Sequence, residues 1–179
     1  MICVYFIGGS HFTRNIHPSP KWVTQFKNRG YVIKCARVAD LDMILNECSV
    51  FVDMCKDKYT NPTIGVIGVS SGGYFALRLK KMIPRIDFCV GIAPILNPVL
   101  RSKMVDSDKI IRATPNVRKI YNTIDRDTLI IVGRDDVQAP IGMYDEYDIR
   151  NMVVIGNADH SITDGSYNLI YKKINSFLK

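Results

Sequence analysis

The sequence predicts an α/β fold: one mostly parallel sheet of about six strands with helices on both faces. Three observations carry that expectation. Short apolar runs rich in Val and Ile alternate along the 179 residues with helix-length amphipathic segments. Most of those runs are apolar without interruption, as in strands covered on both sides. No repeat, low-complexity tract or linker divides the chain, and its length suits a single domain, residues 1–179, with a substantial core.

The elements follow in order. "ICVYFIG" (2–8) is the first strand, and "SPKWVTQFKNRG" a helix closed by Gly30. "YVIKCARV" (31–38) is the second strand. The segment 40–58 is the clearest helix: Leu41, Ile44, Leu45, Cys48, Val52 and Cys55 recur at helical spacing and form one apolar stripe. "TIGVIGV" (63–69) is the third strand and "SGGYFALRLKKM" its helix. "IDFCVGIAP" (86–94), "TLIIVG" (128–133) and "NMVVIGN" (151–157) complete the strands. A terminal helix places Tyr167, Ile170, Tyr171, Ile174, Phe177 and Leu178 on one face. Residues 95–127 interrupt the rhythm with two polar helical segments, near "SDKIIRA" and after Thr114-Pro115, and form a candidate lid.

Composition excludes several classes. No run approaches the roughly 18 apolar residues of a membrane span, and "MICVYFIGG" lacks the basic flank of a signal peptide. The five cysteines are odd in number, scattered and without a CxxC pair, which points to buried free thiols in a reducing, cytoplasmic setting. The net charge of +7 is spread along the chain without a basic run or aromatic–basic alternation, so a nucleic-acid surface is not expected. HExxH and clustered carboxylates are also missing, and with CxxC absent no metal or organic cofactor is expected.

One stretch carries chemistry. "GVIGVSSGGYFALRLK" (65–80) begins as a strand and ends as a helix, with Ser70 at the junction between Gly68 and Gly72. A Walker loop would need a Lys after its glycines, and a dinucleotide fingerprint a different glycine spacing. G-x-S-x-G fits instead: a sharp strand-to-helix turn strains the central residue, lifts its hydroxyl above the sheet, and crowds the flanking positions until only glycine fits. A nucleophilic serine needs a base, and the base an orienting carboxylate. Of the three histidines, His11 and His17 precede Ser70, and only His160, after the last strand, follows it. The loop after the preceding strand, "GRDDVQAP", offers Asp135 and Asp136, while Asp159 is better placed to shape the histidine loop.

With these motifs in this order, the chain resembles the α/β-hydrolase superfamily over nearly its whole length. That family's acid loop reads G-x-x-D-x-x-x-P, matched by Gly133, Asp136 and Pro140, so the resemblance selects Asp136, with Asp135 as the fallback. It implies an oxyanion hole from the backbone N–H of Ser71 and one from the loop after the first strand, Gly9 or Ser10. There Ile7 stands where members often have His, and Gly8 and Gly9 are kept. His11 is a candidate pocket-lining residue. The family commonly has eight strands, and six resemble its compact members without a large cap. The resemblance thus implies a serine hydrolase acting on a small-molecule ester or thioester through an acyl-enzyme. An acyltransferase with the same triad, or a non-catalytic binding module on this fold, are the alternatives. Six Lys or Arg between 97 and 124 admit a substrate with an acidic part, or form a solvated lid face.

Overall fold

The computed structural model describes residues 1–9, 20–37, 40–97, 123–160 and 167–179. Its elements are β1 (Ile2–Ile7), α1 (Pro20–Lys27), β2 (Val32–Cys35), α2 (Leu41–Lys58), β3 (Thr63–Val69), α3 (Ser71–Met82), β4 (Phe88–Ile92), β5 (Thr123–Gly133), β6 (Asp148–Ile155) and α4 (Tyr167–Phe177). The described strands form one sheet in the order β2-β1-β3-β4-β5-β6, and every neighbouring pair is parallel.

Continuous apolar strands have two faces to bury, and the helices divide between them. Cys3, Tyr5, Ile7, Ile64, Val66, Ile130 and Val132 pack with Ile44, Cys48, Phe51 and Val52 of α2 and Leu77 and Leu79 of α3. The alternate residues Val4, Phe6, Ile67, Val90, Ile92, Leu129 and Ile131 pack with Phe26 of α1 and Ile170 and Ile174 of α4. Period-2 side-chain alternation thus feeds two separate cores from the same strands.

Local chemistry sets the helix ends. Asp40 caps α2, its carboxylate accepting from Met43 N at 2.9 Å. Gly30 takes φ +82° just beyond α1, the left-handed turn that glycine accepts without steric penalty. The stripe of α2 buries Phe51 as well as the expected Ile44, Cys48, Val52 and Cys55, whereas Leu41 and Leu45 are only partly covered.

Strand boundaries shift where polar residues intervene. β5 begins at Thr123, so the last residues of the 95–127 segment belong to the sheet. Between Ile124 and Leu129 its pairing with β6 is irregular, and Asp125, Arg126 and Asp127 bulge out. Thr128 Oγ1 donates to Asp125 Oδ1 (3.1 Å), and Asn151 Nδ2 donates to Arg126 O (2.7 Å). β6 starts at Asp148, its early polar residues alternating with half-buried ones. The two helical segments expected within 98–122 lie outside the described residues. None of the described helices is long and apolar enough to cross a membrane.

The chain runs from β1 outward to β2, then crosses back to place β3 on β1's other side. Where strand order reverses, the loops leaving the two strands diverge and open a crevice at their C-terminal ends. Gly8-Gly9 after β1 and Ser70 after β3 sit at that crevice.

Candidate active site

Ser70 joins β3 to α3 with φ 54° and ψ −119°. For a residue with a side chain this region is strained by roughly 1–3 kcal/mol and persists only when the surroundings fix it. Hydrogen bonds to two chain segments, α3 and residues 92–95, do so. Ser70 N donates to Ile92 O at 2.8 Å, and Ser70 O accepts from Gly73 N at 3.0 Å and Ile95 N at 3.2 Å. A Cβ on Gly68 would lie 2.1 Å from Gly72 O, and one on Gly72 would lie 2.4 Å from Ile7 O. Both glycines are therefore required by backbone crowding, not by turn flexibility.

Sheet register brings the β1 loop to the same point. Ile7 pairs with Gly68, and two residues further along a Cβ on Gly9 would lie 2.8 Å from the Ser70 Cβ. Ser71, directly after Ser70, opens α3, and the first turn of a helix directs backbone N–H groups outward from its N-terminal end.

Asp136 and His160 arrive together from the loops after β5 and β6. A Cβ on Gly133 would lie 2.3 Å from Ala158 O, so the loop after β6 packs on the last residue of β5. Arg134 N donates to Ile155 O (2.9 Å) and Asp135 N to Ala158 O (3.0 Å). Asn157 turns the loop with φ 53° and delivers His160 over the sheet edge. Asp136 has no exposed side-chain surface, and His160 keeps 13% of its own.

Asp136 Oδ1 accepts from Gln138 N and Ala139 N, both at 2.8 Å. Its Oδ2 lies 2.8 Å from His160 Nδ1, and His160 Nε2 lies 2.8 Å from Ser70 Oγ. A carboxylate can only accept, so Nδ1 carries the hydrogen and Nε2 presents a lone pair to the serine hydroxyl. Burial of the carboxylate strengthens its bonds to the two amides and the imidazole, while fixing its rotamer.

Of the sequence-expected residues, the structure brings Ser70, Asp136 and His160 into one hydrogen-bonded line, with Gly9 and Ser71 against the serine. Asp135 is exposed and contributes its backbone N–H to the histidine loop. Asp159 is exposed, and its carbonyl oxygen lies 2.7 Å from where a Gly133 Cβ would be. Ser10 and His11 lie outside the described residues. Tyr144, which caps a 3₁₀ turn in the connection between β5 and β6, gave no signal in the sequence. Its ring is buried, and its hydroxyl donates to Pro94 O at 2.9 Å. Burial pushes the phenol well above its ordinary pKa, and the Asp136 carboxylate and Tyr147 add to that.

The cysteines are poor competitors for the role of nucleophile. Burial pushes the Cys48 and Cys55 thiols up to about 12, and Cys89 higher still. Among the described residues no group of three or more His, Cys, Asp or Glu side chains could hold a metal ion.

No protein-family model matches the chain, and no curated protein sequence does. Solved structures do. An esterase from Pyrococcus furiosus superposes with a TM-score of 0.68 at 17% identity, covering 98% of this chain and 81% of that one. A serine hydrolase without a lid from Xanthomonas campestris gives 0.66 at 14% identity, covering 98% and 82%. Est1E from Butyrivibrio proteoclasticus gives 0.64 at 17% identity, covering 99% and 86%. What this chain shares with all three is the fold.

Proposed function

On the α/β-hydrolase fold that this chain adopts, we propose that the protein is a serine hydrolase that cleaves an ester or thioester through an acyl-enzyme on Ser70. The observation that carries this reading is the pair of 2.8 Å contacts running from Ser70 Oγ through His160 to Asp136, anchored on a serine at φ 54°. A serine held in a strained conformation, facing an oriented imidazole, is built to react rather than to turn the chain.

In the proposed sequence His160 Nε2 takes the Ser70 proton as Oγ bonds to the substrate carbonyl carbon. The negative charge developing on the carbonyl oxygen is met by the N–H of Ser71 and that of Gly9 or Ser10. The imidazolium then gives its proton to the leaving alcohol or thiol as the tetrahedral intermediate collapses. Water, deprotonated by His160, attacks the acyl-enzyme, and the carboxylic acid leaves with Ser70 restored. Asp136 holds the imidazole tautomer and stabilises its charged form throughout, without itself taking the proton.

Turnover of p-nitrophenyl esters and acyl thioesters tests the reading. Wild type is expected to turn them over, and Ser70→Ala and His160→Ala are expected to lose on the order of 10⁴-fold or more in kcat. Folded wild type without turnover on any of them contradicts it. Repeating the assay with an acceptor alcohol, and analysing products, separates hydrolysis from acyl transfer.

A further inference from the structure

The elbow follows β3 and the acid loop follows β5, with β4 between them, and the ladder from β4 to β5 stops short of the acid loop. β4 pairs with β5 as far as Ile92 opposite Ile131, with Ala93 N donating to Ile131 O at 2.7 Å. Beyond that point the 93–95 segment turns over Ser70. Ala93 sits at φ 45°, which a β-carbon disfavours, so surrounding contacts must hold it there. The segment grips the nucleophile: Ile92 O and Ile95 N bond the two backbone polar groups of Ser70. Between them the Pro94 ring lies against α3, its Cβ 2.6 Å from where a Gly73 Cβ would be. The Pro94 carbonyl points the other way and accepts from Tyr144 Oη at 2.9 Å. Tyr144 itself closes the 3₁₀ turn Ile141–Met143, which follows the loop carrying Asp136.

We propose that Tyr144 is a positioning residue for the Ser70–His160–Asp136 line, its buried hydroxyl clamping the segment that grips Ser70 to the loop that holds Asp136. This inference rests on the serine-hydrolase reading above. The hydroxyl continues the link between β4 and β5 where their ladder ends, fixing the distance that His160 has to bridge. Two contacts of 2.8 Å must form together for proton transfer, and displacement by about 1 Å at such a site can cost on the order of 10²-fold in rate. A clamp shared by both loops acts on that distance, not on substrate affinity.

Tyr144→Phe keeps the ring and removes the donor. The measurement is the rate of fluorophosphonate labelling of Ser70 against probe concentration, which separates the bound-state rate from probe affinity. Tyr147→Phe, three residues along, is the matched control, and all proteins are assayed well below their own melting temperatures. The expected result is about a ten-fold slower bound-state rate for Tyr144→Phe with affinity changed less than two-fold, and no rate change for Tyr147→Phe. Equal rates for Tyr144→Phe and wild type overturn the clamp and leave the hydrolase reading standing. Wild type that does not label overturns both. Should Tyr144→Phe not fold, Ala93→Gly tests the link from its other end. Glycine accepts the φ of 45° but loosens the segment, so slower labelling with unchanged affinity supports the clamp and an unchanged rate overturns it.

Discussion

Ser70 shows how much structure one strained residue requires. Its φ of 54° is held by hydrogen bonds to Ile92, Gly73 and Ile95, and by two glycines that leave no room for a methyl group. Because the obstacles at Gly68 and Gly72 are backbone carbonyls, they cannot step aside as a flexible side chain would. Gly68→Ala is expected to unfold the chain or displace the turn, seen as a lowered melting temperature and, on the proposed function, a sharp loss of p-nitrophenyl ester turnover. A Gly68→Ala protein with wild-type melting and turnover would contradict this account of the elbow. Asp136 offers a gentler probe. Asp136→Asn keeps the shape but can orient the imidazole in the wrong tautomer, and kcat is expected to fall on the order of 10⁴-fold. Circular dichroism should remain that of wild type, since the amide oxygen can still accept from Gln138 N and Ala139 N.

At the scale of the element, the helices and inner strands were legible because periodicity and burial agree there. α3 runs over Ser71–Met82, as its sequence suggests, and β3 over Thr63–Val69. The misses have physical causes. Asp125-Arg126-Asp127 reads as the end of a loop, yet it is a bulge inside β5, where side-chain and edge-strand hydrogen bonds satisfy the polar run. β2 spans only Val32–Cys35 of its apolar stretch and lies at the sheet edge with one neighbour. Phe51 was not singled out with the α2 stripe, although it falls between Cys48 and Val52 on the buried face and packs at 6.0 Å from the Tyr5 ring. Phe51→Ala is expected to lower stability by about 3–5 kcal/mol, and Asp40→Ala at the N-cap by about 1 kcal/mol. Urea unfolding of the two variants checks the order as well as the size.

For the whole molecule, the site is assembled from four chain segments whose order in sequence was readable, though their meeting point was not. Gly9, Ser70, Asp136 and His160 each follow a strand, and a parallel sheet delivers all such loops to one edge. The choice between Asp135 and Asp136 needed the spacing to Pro140. The Tyr144 clamp depends on a contact 50 residues apart in sequence, which no local pattern encodes. The two-sided core also has a pH signature. The Cys48 thiol, raised to about 12 by burial, stays protonated when folded but ionises near its ordinary value when unfolded. Its contribution to stability is therefore complete below pH ~9 and is lost as pH rises toward 12, at up to about 1.4 kcal/mol per pH unit. Urea unfolding at pH 8, 9.5 and 11 should show that decline, with a shallower slope for Cys48→Ala; parallel slopes would contradict it.

Whether Ser70 is an activated nucleophile is read most directly by fluorophosphonate labelling followed by mass spectrometry of the digested protein. One adduct is expected, on the peptide containing Ser70, and none in Ser70→Ala or His160→Ala. Folded wild type that stays unlabelled, or an adduct at another residue that survives Ser70→Ala, would contradict it.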